Sequence, residues 1–402
     1  MSETAKPRGL VPTRRQFLLG GAVAGIGAVA ALGVEQVVHA ASGSEPLNGT
    51  EVVPFHGVHQ AGIDTDAQAH VRLLGLDLRP EIDRDGLRRL MRILSDDAAR
   101  LTQGTAALAD SEPELAENPA RLTITFGFGP EFVARAGGAA PRWLHPLPPF
   151  GIDQLQPEYS DGDLLVQVAS DDPMTVAHAT RMLLKDARSF TTVRWSQAGF
   201  REAYGTVAPG TTMRNLFGQI DGTSNPRPGT AEFDRVVWGA QAGWMAGGTS
   251  MVLRRIAMNL DTWDELDRPG REESVGRRLS TGAPLTGQVE HDEPDFTATT
   301  PIGFPVIPEY SHLRRARSEN PEERIFRRAY NYDEAPAGTP VSDAGLLFIA
   351  FQADVDRQFT PIQRRLDELD LLNIWTVPIG SAVFAIPPGC APGGYIGETL
   401  LG

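Results

Sequence analysis

The sequence has 402 residues, of which 41% are hydrophobic and 22% are charged, a balance typical of a globular protein with two or three domains. The formal net charge of -14 disfavours a nucleic-acid partner, because such a partner requires a basic surface. The single cysteine, Cys390, excludes an intramolecular disulfide and any metal centre built from several cysteines.

The N-terminus resembles a twin-arginine export signal. Arg14 and Arg15 precede an apolar run rich in glycine and alanine over residues 17–34, and small residues follow it. We expect residues 1–40 to be a signal peptide and 41–50 to be a linker. Cleavage between them would leave a periplasmic or extracellular protein without a membrane span, whereas an uncleaved signal would act as an anchor. Proteins that use this route fold before export, usually with a cofactor inserted, so a cofactor is expected.

Strand-like and helix-like segments alternate after the linker. Residues 71–78 predict a strand, and apolar residues at helical spacing within 87–94 predict an amphipathic helix. Residues 122–128 alternate between apolar and small or polar side chains and predict a second strand, followed by a third over 164–168. A second helix is predicted at about 173–186.

The second half of the chain repeats this order loosely. Strands are predicted over 251–258, 346–351 and 382–386, with helices starting at 263 and covering 362–369. Strands outnumber helices, and their spacing allows antiparallel pairing.

This pattern predicts an α+β fold made of two ferredoxin-like halves with antiparallel sheets, of the dimeric α/β-barrel type. We assign residues 51–214 to the N-terminal half and 215–402 to the C-terminal half. The second half contains a long irregular segment at about 267–340, and segments of this length are usually functional.

The stretch NLFGQIDGTSNP, residues 215–226, lies close to the predicted junction of the halves. Gly218 and Gly222 bracket one acid, Asp221, and the residues that follow are typical of a turn. Taken alone, the stretch therefore indicates a turn as readily as a ligand site, although ligand sites often form at domain junctions.

The histidines give little indication of a zinc site. Neither an HExxH motif nor a pair of histidines four residues apart is present, which disfavours a zinc hydrolase. His56 and His59 are three residues apart and leave a metal site open as an alternative.

Several motifs occur together and in a fixed order. They begin with HGVHQAGI at 56 and include the GxxDG stretch around Asp221, VVWGAQAGWMAGGTSMVLRRIAMNLDTWDE, VGRRLSTGAPLTG, SHLRRA, RIFRRAYNYDE and LLFIAFQADVDRQF. Together they resemble the dye-decolourising peroxidases, haem enzymes of bacteria and fungi. The resemblance implies one haem b per chain, bound in the C-terminal half, and hydrogen peroxide and a bulky phenolic or dye-like electron donor as partners. The alternative is an exported haem-binding protein that handles haem iron in iron acquisition. The oligomeric state is left open, and a homo-oligomer is compatible with the sequence.

The resemblance also assigns roles to individual residues. His312 would be the proximal iron ligand. Asp221 would move a proton on the distal face, and Arg327 would stabilise charge on the peroxide. Asp354 would accept the other imidazole N–H of His312, with Asp356 as the nearby alternative.

Further residues are assigned to the haem pocket. Gly218 and Gly222 would let the backbone pass close to the macrocycle. Leu346 and Phe348, two apart on a strand, resemble the apolar pair that lines the distal pocket, although plain core positions explain them equally well. Arg315, or its neighbour Arg314, would meet a haem propionate.

Overall fold

The computed structural model describes residues 47–338 and 340–402, and Asn48–Gly402 form one compact unit. The predicted signal peptide and most of the predicted linker lie outside the described residues. The strands are β1 (His70–Leu78), β2 (Thr123–Phe128), β3 (Leu164–Ser170), β4 (Thr191–Phe200), β5 (Thr249–Met258), β6 (Phe326–Arg327), β7 (Tyr330–Glu334), β8 (Asp343–Gln352) and β9 (Thr376–Ile386). The helices are α1 (Arg84–Leu101), α2 (Pro130–Arg135), α3 (Pro173–Ala187), α4 (Ala231–Phe233), α5 (Leu260–Asp264), α6 (Arg268–Val275), α7 (His312–Ala316), α8 (Thr360–Leu369) and α9 (Glu398–Leu401).

Strand order confirms the predicted fold class. In the first half the antiparallel order is β2-β3-β1-β4, and in the second it is β9-β5-β8-β7, the same ferredoxin-like arrangement. Two narrow contacts join the halves, where β2 pairs with β9 through Phe128 and Ala385 and β4 pairs with β7 through Phe200 and Asn331. Because each edge strand of one half pairs with an edge strand of the other, the strands close into a barrel.

Helix α1 shows how the apolar pattern selects the core face. Asp83 caps its N-terminus by accepting a hydrogen bond from the Gly86 N–H at 2.8 Å. The predicted apolar stripe is fully buried against the sheet, and each such side chain contributes roughly 1.5–3 kcal/mol. With α3, this helix covers the outer face of the first half, so that face is closed by direct packing.

The second half uses the two faces of β8 differently. Leu347 and Ile349 point into the barrel and pack with side chains of the first half, among them Val71 and Leu165. Leu346 lies on the opposite face, because successive side chains of a strand alternate. This outer face is the one that carries the candidate site.

Some elements differ from the sequence prediction. Strand β4 and the short strands β6 and β7 were not predicted. The helix predicted from residue 263 begins at Leu260, because the Asn259 side chain accepts a hydrogen bond from the Thr262 N–H at 3.1 Å and caps it there. Within residues 47–338 and 340–402, no helix is both long and apolar enough to cross a membrane.

Candidate active site

A cavity of about 460 Å³ lies against the outer face of the second half of the barrel. Leu346 and Phe348 of β8 form part of one wall. Helices α7 and α8 and the 215–226 stretch supply others. Asp221, Arg327 and His312, to which the sequence assigns chemistry, all line this cavity. The fold therefore brings together three side chains that are far apart in the chain.

Asp221 stands on a tight turn formed by the 215–226 stretch. Its backbone N–H donates to the Met213 carbonyl at 2.9 Å, while Gly218 and Gly222 adopt φ values of 78° and 132° that favour glycine. Gly222 lines the cavity, whereas Gly218 lies outside the lining residues and serves the turn itself. The predicted close approach to a cofactor stays a prediction for both glycines.

Arg327 and Asp221 form an ion pair at the cavity wall. The Arg327 Nη1 donates to Asp221 Oδ1 at 2.8 Å, and their side chains are 21% and 13% exposed. The next residue, Arg328, is buried and donates instead to Gln68 Oε1 at 2.8 Å in the first half. Of these two arginines, Arg327 is thus the one that lines the cavity with Asp221.

Asn225 holds the backbone of Arg327, a role that sequence reasoning missed. Its Nδ2 donates to the Arg327 carbonyl at 2.7 Å, and its Oδ1 accepts from the Arg327 N–H at 3.0 Å. This amide therefore pairs with β6 as a neighbouring strand would. Its position in a turn-rich stretch had indicated only turn formation.

His312 begins α7 and is tied to a buried carboxylate. Its Nδ1 lies 2.5 Å from Oδ2 of Asp370, whose side chain is 4% exposed while the imidazole is 33% exposed. If Nδ1 carries the proton and donates it to this carboxylate, Nε2 keeps a free lone pair. Burial opposes protonation of the ring, but the charge and hydrogen bond of Asp370 outweigh it and raise the pKa of His312.

The predicted partner of His312 is therefore wrong. Asp354 instead caps a helical turn by accepting from the Arg357 N–H at 3.0 Å, and Asp356 lies 3.3 Å from the Nε2 of His145. Both carboxylates follow β8 directly, but the turn after the strand carries them away from the cavity. Asp370, at the end of α8, had no sequence signal that distinguished it.

Arg315 does not take the predicted place at the cavity. Its guanidinium donates to the Arg365 carbonyl and to Glu368 Oε2, both at 3.0 Å, so it joins α7 to α8 instead. Arg314 is also turned away and donates to the carbonyls of Phe296 and Ile307 at 3.1 and 3.2 Å.

Arg277 is a cavity-lining cation that the sequence did not indicate. Its Nη1 donates to the carbonyls of Gly282 and Glu290 at 2.6 and 2.9 Å. Burial, followed by the positive charge of Arg327, lowers the pKa of Arg277. Since Arg327 is already paired with Asp221, Arg277 is the cation of the two that favours an anionic ligand group.

The alternative metal site at His56 and His59 does not form. His59 stacks on Trp238 with ring centroids 3.7 Å apart and its Nδ1 bonds to the Gly247 carbonyl at 2.7 Å, while the Nδ1 of His56 lies 3.6 Å from Cys390 Sγ. In the described part of the chain, no group of three or more His, Cys, Asp or Glu side chains converges to hold a metal ion.

Comparison with known proteins matches both halves to one family. The family description "Dyp-type peroxidase, N-terminal" covers residues 60–201, and "Dyp-type peroxidase, C-terminal" covers 212–391. The crystal structure of a DyP-type peroxidase from Cellulomonas bogoriensis superposes with a TM-score of 0.86 at 55% sequence identity, covering 89% of this chain and 99% of that one.

Two curated relatives carry different names. A dye-decolorizing peroxidase from Thermobifida fusca is 39% identical over 85% of this chain and 83% of its own length. A deferrochelatase from Escherichia coli O157:H7 is 33% identical over 97% of each chain. With both family domains matched in order on the predicted fold, the chain belongs to the DyP-type peroxidases, haem enzymes that reduce hydrogen peroxide while they oxidise dyes.

Proposed function

We propose that the cavity on the second half of the barrel holds one haem b, with His312 as the iron ligand. One observation carries this proposal: a carboxylate-bonded imidazole and an aspartate–arginine pair line the same cavity. An imidazole whose Nδ1–H is bonded to a carboxylate presents Nε2 to a metal, as haem-ligating histidines do.

The lining of the cavity fits the macrocycle in both its apolar and its charged parts. Apolar side chains from β5, β8, α7 and α8 suit a flat aromatic ligand, and the volume of about 460 Å³ is in the range of ligand sites. The cation Arg277 favours a carboxylate at its part of the cavity wall, which haem b supplies as a propionate. We assign to Arg277 the propionate contact that the sequence had assigned to Arg315.

The proposed roles of the protein side chains follow from their contacts. Bound haem supplies the iron at which one hydrogen peroxide is reduced to two waters by two electrons and two protons from the donor. Asp221 is an acceptor for the first peroxide proton and can return it to the leaving oxygen. Arg327, already paired with that carboxylate, holds it in place and offers positive charge to the oxygen as the bond breaks. Asp370 keeps the His312 imidazole oriented and electron-rich.

The donor class proposed here is bulky phenols and dyes. The name of the Thermobifida fusca relative supports dyes as donors. The deferrochelatase relatives support a second candidate, the handling of haem iron. The Asp221–Arg327 pair favours peroxidase turnover, because a haem carrier has no use for a proton acceptor and a cation together.

One experiment on the purified holoprotein separates these candidates. Peroxidase function predicts a Soret band that changes on adding hydrogen peroxide, and catalytic bleaching of an anthraquinone dye with the haem recovered intact. Haem-iron handling predicts release of iron and accumulation of metal-free porphyrin instead. A purified protein without a Soret band, even after incubation with haemin, would contradict both.

Export by the twin-arginine route is a separate proposal. It is supported by the arginine pair and the apolar run of residues 17–34. N-terminal sequencing of the protein recovered outside the cytoplasm should give a start at or near Ala41. A start at Met1 or Ser2 would favour the uncleaved anchor.

A further inference from the structure

Glu290 holds both ends of the loop that carries Asp221. The Oγ1 of Thr212, before the loop, donates to Glu290 Oε1 at 2.6 Å, and the Oγ1 of Thr223, after it, donates to the same oxygen at 2.9 Å. Glu290 itself belongs to the long irregular segment between α6 and α7. One carboxylate oxygen therefore connects the two flanks of the catalytic turn to a different part of the chain.

The position of Glu290 is itself fixed by its surroundings. The Arg277 guanidinium holds its carbonyl at 2.9 Å. At Gly282 an added Cβ would lie 2.8 Å from Ile220 Cδ1 and 3.2 Å from Glu290 Cγ, so only a glycine fits between the two segments. Gly282 thus lies closely between Glu290 and Ile220, the residue that precedes Asp221.

A second arginine connects the same two segments. Arg214 donates through Nη1 to the carbonyls of Gly218 and Leu279, both at 2.8 Å, and through Nη2 to that of Ser280 at 3.1 Å. The Asp221 loop and residues 277–290 therefore behave as one hydrogen-bonded unit. Among the hydrogen bonds that join the two segments, the one from Thr223 to Glu290 lies nearest in sequence to Asp221.

We propose that Glu290 is a positioning residue, which sets the placement of the Asp221 carboxylate without touching the reacting atoms. This inference rests on the proposed function, in which Asp221 moves the peroxide proton. Hydrogen bonds from hydroxyls to a charged carboxylate are stronger than those to a neutral acceptor. The two bonds to Glu290 therefore hold the Asp221 loop in place. A displacement of about 1 Å in a catalytic group is enough to cost about 100-fold in rate.

The test is a double-mutant cycle on the haem-loaded protein. The rate of the Soret change with hydrogen peroxide is measured by stopped flow for wild type, Glu290→Ala, Asp221→Asn and the double variant. We expect Glu290→Ala to slow the reaction about 10- to 100-fold with haem content retained, and to cause no further slowing in the Asp221→Asn background. A positioning residue loses its effect when the group that it positions is removed.

Two further variants control for general damage. Glu290→Gln keeps an acceptor oxygen for both threonines and should retain most of the rate. Asp295→Ala removes a carboxylate that also accepts from a threonine hydroxyl, Thr297 Oγ1 at 2.7 Å, but lies on an exposed part of the same segment, so the wild-type rate is expected. If Glu290→Ala does not fold, a variant with valine at both Thr212 and Thr223 removes the same two bonds and replaces it in the cycle.

The outcomes separate this inference from the proposed function. Equal slowing by Glu290→Ala in the wild-type and Asp221→Asn backgrounds would overturn the positioning role, as would a wild-type rate in Glu290→Ala beside a slow Asp221→Asn enzyme. A wild-type rate in Asp221→Asn would overturn the proposed role of Asp221 and this inference with it.

Discussion

The two halves of the barrel share one strand order but use their outer faces differently. In the first half, α1 and α3 pack directly on the sheet and leave a continuous apolar core. In the second half, the equivalent face carries Leu346 and Phe348, yet α7 and α8 stand over it with a cavity between. The same strand framework can therefore carry a binding site or not. A site forms in the half where the segments that cover the sheet contribute polar side chains and leave a cavity.

The segments between the strands account for this difference. Between β5 and β6 the chain runs through α5, α6, a long irregular stretch and α7, and this path delivers Arg277 and His312 to the cavity. The turn formed by residues 215–226, between β4 and α4, delivers Asp221. The comparison predicts that substitutions at these residues change haem chemistry, and that the first half sets stability alone.

The largest effect is expected from His312→Ala. Removing the proposed iron ligand should abolish most haem binding, because a haem enzyme of this kind relies on its axial ligand. The protein should still fold, since the ring is part of the cavity rather than of the core. Haem content from the ratio of Soret to protein absorbance, with far-UV circular dichroism as the folding control, measures both. A fully loaded variant with the native spectrum would show that another residue binds the iron.

Asp221→Asn should keep haem and lose roughly 100- to 10,000-fold in the rate with hydrogen peroxide, the usual contribution of a positioned proton acceptor. In general, a carboxylate remains unprotonated, and so able to accept a proton, at a lower pH than a histidine base does. We therefore expect the wild-type enzyme to oxidise dyes best in acid. Rates measured from pH 3 to 8 test both points. A neutral or alkaline optimum, or an Asp221→Asn enzyme with full turnover in acid, would leave Asp221 as a turn residue only.

Arg327→Leu should slow the peroxide reaction by about 100- to 1,000-fold while leaving haem bound, because the guanidinium is proposed to stabilise developing charge. Arg328→Leu offers a contrast at the next residue of the chain. Arg328 bonds to the first half of the barrel, so its loss should lower the melting temperature with little direct effect on the haem spectrum. Interchanged phenotypes would reverse the assignment of the two arginines.

Asp370→Asn should have a smaller effect, about 10- to 100-fold in haem affinity or activity, as is usual for groups that support a metal ligand. An amide still meets the His312 ring but makes the ligand less electron-donating. The reduction potential of the bound haem should therefore rise relative to wild type. An unchanged potential would indicate that Asp370 only orients the ring. Asp354→Asn serves as the control, because that carboxylate caps a turn away from the cavity.

Residues carried by recognisable local motifs could be predicted from the sequence, and those set by long-range contacts could not. The buried strands and the amphipathic α1 have clear apolar periodicity, and Asp221, His312 and Arg327 lie in distinctive short stretches. Strand β4 was missed because much of one face is polar and exposed. Asp370 and Asn225 meet His312 and Arg327 only through the tertiary fold, and no pattern in their own neighbourhoods indicates these contacts.

The smallest expected effect concerns the first half and is a matter of stability alone. Asp186, at the end of α3, is half-buried, and this burial is the main reason why its pKa rises from 3.8 to about 7. A hydrogen bond with the buried Asp97 of α1 and the charge repulsion between the two carboxylates add to the rise. The neighbouring cations Lys185 and Arg188 oppose this shift only in part. Asp186 is therefore protonated in the folded protein at pH values where it would be ionised in the unfolded chain.

The sign of the pH dependence follows from this raised pKa. The neutral carboxyl contributes its full stabilisation below pH 3.8, and the contribution is lost as the pH rises towards about 7. Asp186→Asn keeps a neutral side chain at every pH, so the variant should match wild type near pH 4 and be more stable near pH 8. The full shift corresponds to roughly 4 kcal/mol, and solvent screening of this half-buried group reduces the expected difference to about 2 kcal/mol. Thermal melts from pH 4 to 8 measure this, with Asp96→Asn, an exposed neighbour of Asp97 paired with Arg100, as the control of little effect. Because the half that carries Asp186 is closed by direct packing, dye oxidation by the variant at a fixed temperature should be unchanged. A parallel loss of stability with pH in wild type and Asp186→Asn would mean that folding does not raise the pKa of Asp186.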